Sequence, residues 1–464
     1  MNDAVYEVLL VVGALTTITV AAMRIKGIVR VFLIAQAAYW SLSYVVRPIV
    51  LLWVQPQPTY GDSVADPRLS TIGYDRGISL ILQPVVFGLW THAIVVIGYT
   101  IWIRRRADGN RNTVIQPRSI ADGNLIPTLW TAFGIGMFGR ALLYATGSSA
   151  TAGQTQSSNP ILSFITLMAV IGTLGLIVFL RLDNPRVTFA VIGCLTIIEL
   201  LWTVAVESKT PIMGAALAIA VRFALTGWTR VKIGAIAAIS VLGIAAFGWL
   251  QSFKASDLAK SQSAVLDASY PQILQPFLSI LRRFDLLEAA TDSYYMGGRP
   301  WLTMTEVAHH VIFSFVPEQL VGGTKFHAGT AWANEVRGAS VDMSKVSVSL
   351  AEGNINEGFV LGGYPGVAVG AVFTFVLVLS CVWALRTRHI FLISIGLLMI
   401  EVPVFFERGI LGSAELIGKS VQAAVLIWII YLAVGEVRRR PGQSSNNQSS
   451  YLGTQLLDAA REKE

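Results

Sequence analysis

Charged side chains are scarce in this chain. Asp, Glu, Lys and Arg make up 14% of its 464 residues, while 54% are hydrophobic. Soluble domains carry roughly 25% charged residues, so this balance excludes an ordinary soluble fold and implies a multi-pass membrane protein. Cysteine is nearly absent. Cys194 and Cys381 both lie inside apolar runs, which excludes a disulfide framework or a thiolate zinc site. The net charge is +7, but its basic residues sit in short clusters between apolar runs, so no nucleic-acid partner is expected. Internal repeats are missing too, which weighs against a transporter built from inverted halves. The first apolar run has a short acidic flank and lacks a small-residue cleavage pattern. It is therefore expected to be a first span and not a signal peptide.

What is there is a series of apolar windows of membrane length. They fall at 4–23, 28–54, 78–103, 125–147, 160–181, 187–206, 210–227, 231–250, 359–385, 389–407 and 416–436. The expected fold class is thus all-α, with about eleven transmembrane helices. Basic clusters follow alternate spans: Arg24, Lys26 and Arg30; Arg104 to Arg106 and Arg111; Arg181 and Arg186; Arg230 and Lys232; Arg386 and Arg388; Arg438 to Arg440. All fall on one side, which predicts an outside N-terminus and a cytoplasmic C-terminus. Residues 1–250 then hold spans one to eight, 251–358 form a large extracytoplasmic loop, 359–436 hold the last three spans, and 437–464 form a polar disordered cytoplasmic tail.

The outer loop concentrates the polar chemistry, including His309, His310 and His327. In "ASYPQILQPFLSILRRFDLLEAA", Ile273, Leu274, Phe277, Leu278, Leu281, Phe284 and Leu287 or Glu288 recur at helical spacing. This predicts an amphipathic helix lying in the outer interface. Arg282 and Arg283 on it can bind lipid headgroups, or hold a diphosphate, because guanidinium forks match phosphate oxygens. Lys209, in "VAVESKTPIMGAAL", is a cation at a tight outer turn that either snorkels or faces a lipid phosphate. In "SLAEGNINEGFVLGGYPG", caps and close packing account for Asn354, Asn356 and the glycines, but less readily for Glu352 and Glu357, which are candidates for catalytic or acceptor-binding work. Glu306 and His309 form an E-x-x-H without a second copy, so no metal centre is expected; His309 or His310 remains a candidate acid/base or an interfacial contact. Within the spans lie Arg140, Glu199, Arg222 and Glu401. Such groups are expensive in a bilayer. Glu199 and Glu401 can pair with Arg140 or line a cavity, Arg222 is expected to snorkel, and His92 is expected to make an interhelical contact.

Many spans, one large late outer loop and a "SKTP" turn resemble the O-antigen and exopolysaccharide polymerases (Wzy type). So do "RRFDLLEAA…MGGRPWL", "FVPEQLVGGTKF" and "NEGFVLGGYPGV", which place the likeness over about 200–385. Arg282 and Gly298 also match the arginine–fifteen–glycine spacing of some members. In place of the frequent Pro-Arg element stands "VPEQL", Val316 to Leu320. The resemblance implies a metal-independent, cofactor-free glycosyltransferase of the bacterial cytoplasmic (inner) membrane, related in fold to O-antigen ligases. It would transfer a glycan from a polyprenyl diphosphate to a sugar hydroxyl of the next lipid-linked repeat unit. Lys209, Arg282, Arg283 and Arg299 would then hold the diphosphate, and Glu352, Glu357 or His309 would supply the base. Expected partners are the polyprenyl diphosphate-linked oligosaccharide, membrane lipids, a chain-length regulator and a flippase. A ligase, or a flippase or transporter of lipid-linked sugars, is the alternative reading.

Overall fold

The structure, a computed structural model, describes residues 3–58, 64–109, 123–146, 160–206, 210–227 with 229, 232 and 234, 269–282, 284–297, 300–317, 325–338, 352–401 and 407–461. Among them every regular element is helical. Hydrocarbon offers no partner for a bare N–H or C=O, so each membrane segment must satisfy its own backbone. The helices are α1 (Asp3–Met23), α2 (Ile28–Ser41), α3 (Arg47–Val54), α4 (Pro67–Ile72), α5 (Tyr74–Gly109), α6 (Leu125–Ala145), α7 (Pro160–Phe179), α8 (Pro185–Ala205) and α9 (Thr210–Thr226). After them come α10 (Gln275–Leu281), α11 (Leu286–Tyr295), α12 (Met304–Ser314), α13 (Ala328–Ala331), α14 (Asn354–Arg386), α15 (Ile390–Glu401) and α16 (Ile410–Arg461).

Seven described stretches are long and apolar enough to cross a membrane: Asp3–Met23, Ile28–Val54, Tyr74–Arg106, Leu125–Ala145, Pro185–Ala205, Asn354–Arg386 and Ile410–Arg439. Shorter apolar helices at Phe164–Phe179, Thr210–Thr226 and Ile390–Ile400 fall where three further spans are expected. The window at 231–250 lies almost wholly outside the described residues. Helix α16 runs on through the polar stretch read as a disordered tail; nothing is described of its side chains beyond Arg439.

Local chemistry sets several helix starts. Asn184 accepts the Arg186 amide at 2.9 Å ahead of Pro185, and Asp66 accepts the Arg68 amide at 2.8 Å ahead of Pro67. Both pair a capping side chain with a proline at the first helical position. Helices α2 and α3 join through a π-helical turn at Leu42–Val46, and the extra residue turns Tyr44 and Arg47 into the protein.

Helix α14 is not one straight span. Its backbone leaves helical geometry at Gly362 and at Gly363, whose φ of 59° suits a residue without a Cβ. The Asn354 side-chain amide nevertheless donates to Thr374 Oγ1 at 2.9 Å. Twenty residues of straight helix would hold those groups about 30 Å apart, so the first arm folds back along the second. Glycines permit the approach: a Cβ on Gly370 would lie 2.0 Å from the Asn354 carbonyl oxygen, and one on Gly358 would lie 2.3 Å from that of Gly366. The apolar window read at 359–385 therefore begins inside a hairpin.

The predicted interfacial helix around Leu281 is also corrected. It is two helices, α10 and α11, separated at Arg282–Asp285. Leu278 and Leu281 are buried on one side of the break, as are Leu286 and Leu287 on the other, whereas Ile273 and Phe277 are exposed. Apolar spacing across the segment reads as one stripe, but the two halves seat their leucines separately.

Candidate functional site

Three polar assemblies meet around α11, the first arm of α14 and the start of α16. The first joins the loop region to the helix bundle. Glu288 and Asp292 stand one turn apart on α11, so they share a face. Asp292, fully buried, accepts from Arg68 Nη2 at 2.5 Å, Arg337 Nε at 2.8 Å and Trp332 Nε1 at 3.2 Å. Glu288 lies 3.1 Å from Arg337 Nη1 and 4.0 Å from Arg47 Nη2. Arg47 also donates to the Val64 and Phe284 carbonyls, and Arg68 is gripped from behind by Asp66. Burial raises the Glu288 carboxyl above its usual range, and Arg337 and Arg47 pull it back only in part. Burial alone would lower the Arg337 and Arg68 guanidinium groups, but the neighbouring carboxylates outweigh it and raise both. Three arginines and three carboxylates thus close on one another.

The second assembly holds the two predicted carboxylates. Glu352 is 1% exposed and Glu357 is 0% exposed. Glu352 Oε2 accepts the Gly409 amide at 3.4 Å, and Glu357 Oε2 accepts the Leu411 amide at 3.0 Å. Both therefore face the N-terminus of α16, where unpaired amides and the helix dipole favour negative charge. Gly409 favours this contact, since a Cβ there would lie 2.5 Å from Glu357 Cδ and would force that carboxylate to shift. Burial pushes the Glu352 carboxyl up to about 7, opposed by Arg408 and its amide contacts and reinforced by Asp285. Oε1 of each carboxylate has no hydrogen-bond partner among the described residues. Around them, Tyr39 donates to Glu407 Oε1 at 2.7 Å, and Asn356 Nδ2 lies 3.2 Å from both Tyr44 Oη and the Leu286 carbonyl. A cavity of about 10 Å³, lined in part by Tyr44, Gly353, Asn354 and Arg408, adjoins this cluster; that is about one water in size.

The third assembly is open. Helix α12 starts with a reciprocal cap in which Thr303 Oγ1 accepts the Glu306 amide and Glu306 accepts the Thr303 amide at 2.8 Å. This occupies the Glu306 carboxylate, so the E-x-x-H spacing marks a helix start here. His309 is exposed against Phe313, with ring centroids 4.2 Å apart, and His310 stacks on Phe326 at 3.9 Å. Both histidines line a cavity of about 380 Å³.

The structure therefore brings Glu352 and Glu357 together and sets His309 on the rim of a separate cavity. Arg282 is half-buried at the end of α10, its amide donating to the Leu278 carbonyl at 2.9 Å. Lys209, Arg283 and Arg299 lie outside the described residues. Arg140 meets Glu199 through bonds of 2.8 and 3.1 Å, which selects one of the pairings left open by the sequence. The Glu401 side chain lies outside the described residues. Arg222 does not snorkel: it is buried and donates to the Ile177 carbonyl at 2.9 Å, near the end of α7. His92 makes the expected interhelical contact, its Nδ1 lying 3.1 Å from the Ala371 carbonyl oxygen.

Sequence reasoning missed Arg47, Arg68, Arg337, Glu407 and Arg408. Arg47 carried a signal, because it falls inside the 28–54 window and is an intramembrane arginine by the same criterion as Arg140. Arg68 and Arg337 carried none beyond their charge, since their partners are remote in sequence. No protein-family model, no curated protein and no solved structure matches this chain.

Proposed function

We propose that this chain polymerises lipid-linked oligosaccharide repeat units at the outer face of a bacterial cytoplasmic membrane. In this reading about eleven spans thread the bilayer, with the N-terminus outside, the C-terminus cytoplasmic and 251–358 as the outer loop. The observation that supports it most is the Glu352–Glu357 pair. Two carboxylates are buried at the foot of a folded-back helix, each with one oxygen lacking a partner among the described residues. A carboxyl held near neutrality can take up and return a proton at working pH, as Glu352 can.

The step is a displacement at the anomeric carbon. A hydroxyl of the incoming repeat unit loses its proton to Glu357 or Glu352, and its oxygen forms the new bond to that carbon. The bond from the anomeric carbon to the diphosphate oxygen breaks, and the polyprenyl diphosphate leaves with the electron pair. Arg282, with Lys209, Arg283 and Arg299, stabilises the departing charge, which grows as the bond breaks. His309 is the other candidate base. Because both carboxylates are enclosed, a substrate hydroxyl reaches them only after a local opening.

Deleting the gene tests the reading through the surface glycan on a gel. A polymerase predicts loss of the length ladder with single repeat units still exported. Loss of all export would indicate a flippase, and full-length glycan stranded on its lipid carrier would indicate a ligase. An intact ladder in both Arg282→Ala and Lys209→Ala cells would remove the diphosphate assignment.

A further inference from the structure

The cavity beside α12 is not used by the carboxylate chemistry. It measures about 380 Å³ and is lined, among the described residues, by His309, His310, Phe313, Ser314, Lys325, Phe326, Leu411 and Glu415. Small-molecule sites span roughly 300–1,000 Å³ and combine apolar walls with a few placed polar groups. This one has both. Two ring pairs, His309 with Phe313 and His310 with Phe326, make up its apolar wall. Glu415, also in the lining, is held in place: His327 Nδ1 at 3.2 Å and Lys419 Nζ at 2.8 Å both engage its Oε1. Its Oε2 makes no hydrogen bond among the described residues.

The charge of the lining narrows the ligand class. Glu415 supplies one negative charge and Lys325 one positive charge. Burial, and then the adjacent His309, lower the His310 imidazole below its usual value, which favours the neutral ring. Lys325 is committed to the end of α12, donating to the Ser314 carbonyl at 3.0 Å and the Val316 carbonyl at 2.9 Å. Lys419 is engaged by Glu415 at 2.8 Å, so both cations at this wall are already paired within the protein, and it makes a poor phosphate site. It suits a ligand that is uncharged, apolar on one face and rich in hydroxyl donors along its edge. Pyranose rings have that form, with axial C–H groups stacking on aromatic faces and hydroxyls donating to a fixed carboxylate.

We infer that this cavity is a saccharide subsite for one or two neutral pyranose units. Leu411 ties it to the carboxylates: it lines the cavity while its amide donates to Glu357. On the polymerase reading, which this link assumes, the cavity is where the acceptor sugar waits, beside the residue whose amide Glu357 holds. Saccharide binding itself does not depend on that reading.

The test is saturation-transfer-difference NMR on the full chain in lipid nanodiscs. The probes are the methyl pyranosides of glucose, galactose, mannose and rhamnose, together with inorganic phosphate followed by phosphorus relaxation. At least one pyranoside is expected to receive saturation at its ring protons, with the effect falling at least fivefold in Phe326→Ala and in Glu415→Gln. Phe326→Trp, which preserves an aromatic face, should retain it, so a loss caused by misfolding is recognised. Transfer to no pyranoside, equal transfer in the variants, or phosphate binding lost in the same variants would overturn the inference. The gene deletion separates the two ideas. Sugar binding with an unchanged ladder defeats only the polymerase, whereas a lost ladder without sugar binding defeats only the subsite.

Discussion

Arg140 and Glu199 meet in a two-pronged pair, with the guanidinium 4.9 Å from the Trp202 ring, and both side chains are 2% exposed. Glu352 and Glu357 are buried as deeply, yet they carry like charge and are held by backbone amides of the α16 start. The first cluster neutralises its charge by contact, although Arg140 Nε is buried without a hydrogen-bond partner among the described residues. The second relies on a helix terminus, and on Arg408 for Glu352, and leaves one oxygen of each carboxylate without a partner among the described residues. A buried polar group without a partner costs stability, and such costs persist where a group has another use. A closed pair of opposite charges suits a strut, and like-charged carboxylates with an open oxygen each suit proton transfer.

The sharpest way to break this contrast is Glu357→Gln. The amide oxygen can still accept the Leu411 amide, so folding is expected to survive. If Glu357 is the base, polymer formation should fall by about 10²–10⁴-fold, read as loss of the length ladder at unchanged protein level. An unchanged ladder would leave Glu357 as a helix cap alone.

Glu199→Ala attacks the other cluster. It strands Arg140 in an apolar environment and is expected to cost about 3–5 kcal/mol, seen as a large drop in thermal unfolding temperature in nanodiscs. Replacing Arg140 and Glu199 together by leucine should recover much of that loss. If the double variant is as unstable as the single one, the pair is more than a strut.

A third test uses pH. Glu352 keeps its proton up to about 7 when folded, above its usual value of 4.5. Between those limits the unfolded chain is ionised while the folded one is still protonated, so stability falls as pH rises through that window. The slope is at most ~1.4 kcal/mol per pH unit. Glu352→Gln should flatten this part of the profile, and an unaltered slope would show that Glu352 is not the titrating group.

The smallest effect is expected at Asp292→Asn, which weakens the join between α11 and Arg68 and Arg337. Asp66 and Glu288 keep contacts to those arginines, so the loss should be about 1–3 kcal/mol. Limited proteolysis in the loop region should register it before global unfolding does.

Much of the architecture was legible because hydrocarbon imposes one rule on every residue that enters it. Apolar length alone located the spans around α1, α2–α3, α5, α6, α8 and α16. It found the apolar stretch of α14 as well but not its start, where an unbroken apolar window hides a reversal at Gly362 and Gly363. Hydropathy sums side chains, and a turn is a property of the backbone. It failed again at Arg282–Asp285, where helical spacing continues across a break. At the candidate site, the sequence singled out Glu352 and Glu357 as carboxylates at a membrane boundary, but their partners are amides more than fifty residues away and have no side-chain signature.

The sequence by itself determined that this is a helical membrane protein and which of its rare charges stand in apolar surroundings, because desolvation acts on each residue wherever its neighbours come from. Only the tertiary structure decided what those charges meet. It gave Arg140 a carboxylate, Arg222 a carbonyl, and Glu352 and Glu357 the end of a helix. Pairing depends on distances between segments that hydropathy does not encode, and those distances separate a neutral strut from a carboxylate pair able to hold a proton.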